Sequence, residues 1–379
     1  DTEIPVGAAF RHLPEYVRAG ELDESVLDES VRRVLAIKFD MGLFENPYCD
    51  VDKVLQAMND AQKNALSEKI AGKSLVLLKN DGVLPLVAGA KLAVIGPHGD
   101  SLRYPVSGYT YPAYIEMLQA GASGEATTFN GIADEQAKAD QEQDGGEKKV
   151  VPGPFAAMYA MFSGEDRAKL GDMNSVLREM GARSLREALA DRHQVVYAQG
   201  CDIIKEDTSG FDEAVAAAKD ADVVVMALGG NSGWVNVTGG EGKDRQFLDL
   251  PGVQQQLLEA VAAVGKPMVV VLYGPGVFSV NWAAEHCGAI LQAFMPGQFA
   301  GKAVADVLNG AVNPGGKLTM SIPRSAGQIP LTYNHRIGSG YQSSGDAGSG
   351  SSIFSGGYLD GPADPLYCFG HGLSYPTFQ

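Results

Sequence analysis

The chain has no apolar run approaching about 18 residues, the length a helix needs to cross a bilayer, so nothing in it reads as a membrane span. It is short of positive charge: 30 Lys+Arg stand against 46 Asp+Glu, a formal net charge of -16. No basic face can outweigh that surplus, which excludes a nucleic-acid partner. Cysteine is scarce and dispersed. Cys49, Cys201, Cys287 and Cys368 lie far apart with no C-x-x-C spacing, so they read as free or buried thiols rather than as a zinc site or disulfide framework. The six histidines are scattered, none in H-E-x-x-H spacing, so no metal site is expected. There is no G-x-x-x-x-G-K-[ST] phosphate loop and no G-x-S-x-G elbow. Gly229-Gly230-Asn231-Ser232-Gly233 lacks the spacing of a dinucleotide loop, and no cofactor is expected. The chain opens Asp1-Thr2-Glu3 without Met or a signal peptide, so it reads as processed or as a piece of a longer protein, and its compartment is not legible.

What is present is an alternation. With 379 residues, 45% of them hydrophobic, the chain can build two units or one large α/β domain. Short apolar runs occur at Leu75–Leu78, Leu92–Ile95, Val195–Tyr197, Val223–Leu228, Met268–Leu272, Ala289–Leu291 and Leu318–Met320. Helical patterns separate them at Ser184–Ala190, Phe211–Lys219, Val253–Val264 and Ala300–Leu308. Continuous apolar strands alternating with amphipathic helices predict an α/β fold with a mostly parallel sheet covered on both faces.

Upstream, Leu27, Val31, Val34, Leu35 and Phe39 recur at helical spacing and predict an amphipathic helix over 24–41, ended by Gly42 with Pro47 beyond. Residues 42–60 read as a linker and Ala61–Lys73 as a second helix. Residues 121–150 carry almost no large apolar side chain and read as a mobile surface loop or as disorder. Residues 155–190 regain helical character around Phe155, Met158, Met161 and Phe162, as core filler or as a cover for a cleft. Residues 337–357 are Ser/Gly-rich and read as a flexible connection.

The most informative stretch is Gly239-Gly240-Glu241-Gly242-Lys243-Asp244-Arg245. It follows the apolar strand from Val223 and a glycine-rich segment, and precedes a helix opening at Leu250-Pro251-Gly252. A carboxyl on a loop beyond the end of a buried strand is where an open α/β fold places its chemistry. The alternative reading makes Glu241, Lys243, Asp244 and Arg245 solvated loop charges. Asn236-Val237-Thr238 matches a glycosylation sequon, but a glycan there would crowd Glu241.

These residues together resemble a known family. Val31-Arg32-Arg33-Val34-Leu35 and Gly42-Leu43-Phe44-Glu45-Asn46-Pro47-Tyr48 resemble the last helix of the TIM-like barrel in multidomain β-glucosidases of glycoside hydrolase family 3. Ser74-Leu75-Val76-Leu77-Leu78-Lys79-Asn80 with Leu84-Pro85-Leu86 resembles the start of that family's second domain, a six-stranded α/β sandwich. Gly240–Arg245 with Leu250-Pro251-Gly252 resembles its acid/base loop. Pro296-Gly297-Gln298, Asn313–Leu318 and Phe369–Tyr375 resemble later landmarks, while 121–183 finds no counterpart. The implied organisation is 1–45 as the end of a barrel, 46–73 as linker and helix, 74–336 as sandwich with an insertion at 121–183, and 337–379 as a C-terminal segment.

The resemblance implies retaining hydrolysis of terminal β-D-glucosyl residues in a β-glucoside or β-linked oligosaccharide. That reaction needs two carboxyl groups about 5–5.5 Å apart, one a nucleophile and one an acid/base kept protonated by burial or a neighbouring negative charge. Glu241 takes the acid/base position. Asp244 and Arg245 take the positions that shape the loop. Trp234 stacks on a sugar at the aglycone side or, equally, anchors the loop. The family's nucleophile is a barrel Asp upstream of this sequence, and Asp1 resembles a later barrel position, so a barrel-bearing polypeptide is the implied partner. β-Xylosidase, exo-glucanase and phosphorylase variants stay open, as do a homo-oligomer and a non-catalytic carbohydrate- or partner-binding sandwich domain. A periplasmic or secreted location follows from the resemblance alone.

Overall fold

A computed structural model describes residues 1–3, 9–58, 60–123, 173–334, 358 and 360–375. The chain divides into two compact units, Asp1–Ala61 and Gln62–Gln379.

The first unit is helical: α1 (Leu13–Arg18), α2 (Glu24–Asp40) and α3 (Val51–Met58). Asp23 caps α2 by accepting from the Ser25 N–H at 2.9 Å, satisfying one of the free donors at the helix start. No residue of α2 is buried: Val31 is 54% and Phe39 60% exposed. Helix α3 corrects the reading of 42–60 as linker. Asp50 Oδ1 accepts from the Asp52 N–H and opens a helical turn on which Val51, Val54 and Leu55 recur at helical spacing.

Helix α4 (Ala61–Ser74) starts at the last residue of the first unit, and the described residues of the second unit form one sheet: β1 (Val76–Asn80), β2 (Lys91–Ile95), β3 (Gln194–Ala198), β4 (Val223–Gly229), β5 (Met268–Tyr273) and β6 (Ala289–Phe294). The strand order is β1-β6-β5-β4-β2-β3. Only β1 runs antiparallel to its neighbour; β3, β2, β4, β5 and β6 are parallel. Between the strands come α5 (Tyr111–Ser123), α6 (Met173–Glu179), α7 (Leu185–Leu189), α8 (Phe211–Lys219), α9 (Gln254–Ala262) and α10 (Asn281–His286), and after β6 comes α11 (Ala300–Leu308).

The sheet is covered on both faces, and the alternation of each strand divides the core. Val224, Met226 and Leu228 of β4 join Leu257, Leu258 and Val261 of α9 in one cluster. Val225 and Ala227 join Leu185 and Leu189 of α7 and Val304, Val307 and Leu308 of α11 in the other. All six residues of β5 are buried, which is why its sequence is an unbroken apolar run.

Two further expectations are corrected. Leu318–Met320 is no strand: Leu318 is buried, but it pairs with Gly370 and His371 through irregular backbone bonds rather than with the sheet. Ile322 likewise exchanges backbone bonds with Leu366 and Tyr367, so the segment pairs with the C-terminal stretch and not with a sheet strand. Residues 121–123, read as loop, continue α5; the remainder of 121–150, the helical pattern at 155–172 and the segment 337–357 lie outside the described residues. The four cysteines are free, Cys201 and Cys287 buried, Cys49 and Cys368 exposed.

Candidate active site

The strand order reverses at β2. The chain leaves β2 toward β3 on one side and returns through β4 on the other. The carboxyl ends of β2 and β4 therefore diverge into a crevice, the place where open α/β sheets bind ligands. From β2 departs the segment 96–110; from β4 departs the segment 230–250 that carries Glu241.

The root of the second segment is rigid. Gly229 has a φ of 135°, and a Cβ there would run into the Tyr273 carbonyl of β5, so only glycine turns the chain out of the sheet at this point. The fully buried Gln254 holds the same residue: Gly229 N–H donates to its Oε1 at 2.8 Å, and its Nε2 donates to the Gly229 and Ile203 carbonyls at 2.7 and 3.0 Å. Beyond, the buried Thr238 hydroxyl accepts from the Asn231 N–H at 3.0 Å, and Asn231 Nδ2 donates to the Val235 carbonyl at 2.8 Å. The sequon threonine is thus committed inside the loop.

Glu241 stands at the tip. Gly240 and Lys243 exchange backbone hydrogen bonds of 3.2 and 3.1 Å, closing a tight turn over Glu241-Gly242. Gly242 takes a φ of 64°, the left-handed position such a turn demands, and this lifts the Glu241 side chain into solvent. Asp244 faces solvent as well. Arg245 turns back: its Nη2 donates to the Asp249 carbonyl, and its guanidinium lies 4.6 Å from the centroid of the buried Phe278 ring.

The β2 segment closes over this loop. Arg103 pairs with Glu116 of α5 at 2.8 Å and donates to the Ser232 carbonyl at 3.1 Å, while the Gly108 N–H donates to Ser232 Oγ at 3.4 Å. That bracing brings Tyr109 to the tip, where its hydroxyl donates to Glu241 Oε2. Trp234 meets the Tyr109 ring edge-on at 6.0 Å and the Tyr114 ring edge-on at 6.1 Å. Glu241 and Trp234 are therefore linked through Tyr109, whereas Arg245 is directed away toward Phe278. The sequence reading missed Tyr109, Tyr114 and the Arg103–Glu116 brace. The one available signal was crowding: Tyr104, Tyr109, Tyr111 and Tyr114 fall within a short stretch of a chain that has 14 tyrosines in all.

Beneath both loops His98 is buried, stacked on Tyr273 at 4.9 Å and edge-on to Tyr104 at 5.3 Å. Burial pushes its imidazole down to about 3, so it is neutral at neutral pH.

The chain is similar to known proteins over almost its whole length. The chain is 34% identical to a β-xylosidase of Formosa agariphila over 93% of its own length and 39% of that protein's. It is 31% identical to a periplasmic β-glucosidase of Salmonella typhimurium, covering 97% of this chain and 43% of that one. In structure it matches a β-glucosidase from Listeria innocua, crystallised with isofagomine, at a TM-score of 0.65 and 29% identity, covering 96% of this chain and 41% of the other. The chain thus spans about two fifths of the relatives it matches. The profile of the glycosyl hydrolase family 3 C-terminal domain covers residues 75–375, and the chain belongs to that family.

Proposed function

We propose that this chain supplies the acid/base half of a retaining β-glycosidase site, acting on terminal non-reducing β-D-glucosyl residues, with Glu241 as the acid/base. The observation that carries the reading is the position of Glu241: a carboxyl on a turn at the topological switch point of a family 3 sandwich, beside an aromatic cluster. In glycosylation a protonated Glu241 gives its proton to the leaving oxygen as the bond to the anomeric carbon breaks. In deglycosylation the carboxylate takes a proton from the attacking water. In this reading the nucleophile is a carboxylate of the family's barrel, and the two carboxyl groups meet across the sugar. Glu241 is exposed in this chain, and the shielding an acid of this kind needs comes from the same source.

The Trp234 and Tyr109 rings form a wall against which the aglycone sugar stacks. Arg245 shapes the loop through Phe278 and Asp249, and Asp244 follows at its surface. Because the relatives include both a β-xylosidase and a β-glucosidase, both sugars belong in the assay. A periplasmic or secreted location accords with the relative named for the periplasm.

The test is Glu241→Gln in the complete enzyme. Hydrolysis of glycosides with poor leaving groups should fall about 10²–10⁴-fold. Glycosyl-enzyme formation from activated aryl glycosides should suffer far less, and azide should restore turnover. Equal losses on good and poor leaving groups, without azide rescue, would remove Glu241 from this role.

A further inference from the structure

The acid/base reading leaves one contact unexplained. A carboxyl has two oxygens, and a general acid works only if its proton sits on the oxygen that faces the leaving group. Among the described residues one oxygen is addressed: the Tyr109 hydroxyl donates to Glu241 Oε2. We propose that Tyr109 is a positioning residue for the acid/base, its phenol holding Glu241 Oε2 as an acceptor so that Oε1 is the oxygen that carries and returns the transferable proton.

The inference rests on the assignment of Glu241 above and deepens it. The geometry favours a built contact over a chance one. Tyr109 comes from β2 and Glu241 from β4, so two separate loops must be brought into register for them to meet. The register is set on both sides of the contact. Arg103 ties the β2 loop to the Ser232 carbonyl and to Glu116, and Gly108, next to Tyr109, donates to Ser232 Oγ at 3.4 Å. At Gly108 the two backbones pass so close that a Cβ would lie 3.1 Å from the Gly233 Cα. Thr110 Oγ1 donates to the Ser107 carbonyl at 2.6 Å and fixes the turn from the other side. The ring is held edge-on by Trp234, itself edge-on to Tyr114 of α5. Glu241 alone, on a two-residue turn with glycine on either side, has no such restraint.

The chemistry is balanced in both half-reactions. In the first, Oε1–H passes its proton to the glycosidic oxygen, which keeps the electron pair of the breaking bond while the nucleophile carboxylate bonds the anomeric carbon. Oε2, already accepting from Tyr109, gains negative charge, and the phenol hydrogen bond strengthens as it does. In the second, Oε1 takes the proton of the attacking water, the glycosyl-enzyme bond breaks, and the starting state returns. The phenol keeps its own proton throughout.

The experiment compares Tyr109→Phe, Glu241→Gln and the double variant in the active glycosidase that contains this chain and its barrel. Tyr109 is 75% exposed, so removing one hydroxyl leaves the fold intact, and Phe keeps the ring against Trp234. The expected result is a loss of about 3–10-fold in kcat/KM for alkyl glycosides and disaccharides, the scale of one hydrogen bond. Dinitrophenyl glycosides, which need no proton, should be unchanged in glycosylation. In the Glu241→Gln background the Tyr109→Phe change should have no further effect.

Wild-type behaviour of Tyr109→Phe on every substrate would overturn the inference. So would an equal loss on good and poor leaving groups, which would mark the hydroxyl as a contact to the sugar and not to the acid. If Glu241→Gln is selective for poor leaving groups while Tyr109→Phe is silent, only the positioning role falls. If Glu241→Gln is itself silent, the acid/base reading falls and takes this one with it.

Discussion

The side-chain amide of Gln254 closes two hydrogen bonds on one residue, Gly229, accepting from its N–H at 2.8 Å and donating to its carbonyl at 2.7 Å. It thereby replaces the next rung of the ladder where β4 ends and the loop carrying Glu241 begins. Gln254 is fully buried, so its removal strands three backbone groups, including the Ile203 carbonyl, away from water. Gln254→Ala should lower unfolding stability by about 2–4 kcal/mol, from the lost bonds and the cavity together. Urea unfolding would measure this, and a cost below about 0.5 kcal/mol would show that the amide does not anchor the loop.

The bond between Tyr109 and Glu241 has a titration signature. Donating to the carboxylate holds the Tyr109 phenol above its ordinary range, because ionising the phenol would destroy the bond and set two negative charges together. Glu241→Gln removes the charge, so the phenol should titrate at lower pH in that variant. Ultraviolet difference titration isolates this one tyrosine by subtracting the curve of Tyr109→Phe in each background. Identical curves with Glu and Gln at 241 would deny the contact in solution.

Burial of His98 makes part of the stability acid-sensitive. The unfolded chain takes up this proton near pH 6.5, the folded chain only near about 3. The contribution of the neutral imidazole is therefore complete above pH 6.5 and lost as pH falls from there toward 3. The slope is up to about 1.4 kcal/mol per pH unit. Paired carboxylates such as Asp191 also lose their contribution on acidification, so the informative quantity is the difference between wild type and His98→Phe. That difference in unfolding free energy should fall between pH 6 and pH 4, with Phe keeping the stack on Tyr273. A constant difference would show that His98 is already solvated or charged in the fold.

The α2 stripe tests the proposed barrel partner. Val31, Leu35 and Phe39 are exposed along a helix in which no residue is buried. Covering each would be worth roughly 1.5–3 kcal/mol, so the stripe favours association. Val31→Asp and Phe39→Asp should leave the unfolding stability of this chain within about 0.5 kcal/mol of wild type, while weakening its association with a barrel-bearing polypeptide. Hydrogen exchange should find 24–40 weakly protected in the dilute, isolated chain. Strong protection there without a partner would mean that the chain covers its own stripe.

The sequence by itself determined the fold class and the positions of the six sheet strands along the chain. β4, β5 and β6 are unbroken apolar runs because parallel strands are buried on both faces, and such runs are legible without coordinates. It also determined Glu241 as the residue to single out, since a carboxyl flanked by glycines after a buried strand is a local pattern. It misread what depends on partners distant in the chain. Leu318 is as buried as any strand residue, yet its backbone pairs with Gly370 and His371, some fifty residues on, and no window of sequence around it carries that information. The helix at Val51–Met58 was hidden by Pro47 just before it. The strand order was beyond reach, and with it the divergence of β2 and β4 that makes the crevice. So Tyr109 stayed invisible as a partner of Glu241. It stands 132 positions from Glu241, and only sheet topology, which sets two loops side by side because their strands are hydrogen-bonded neighbours, brings its hydroxyl to that carboxylate.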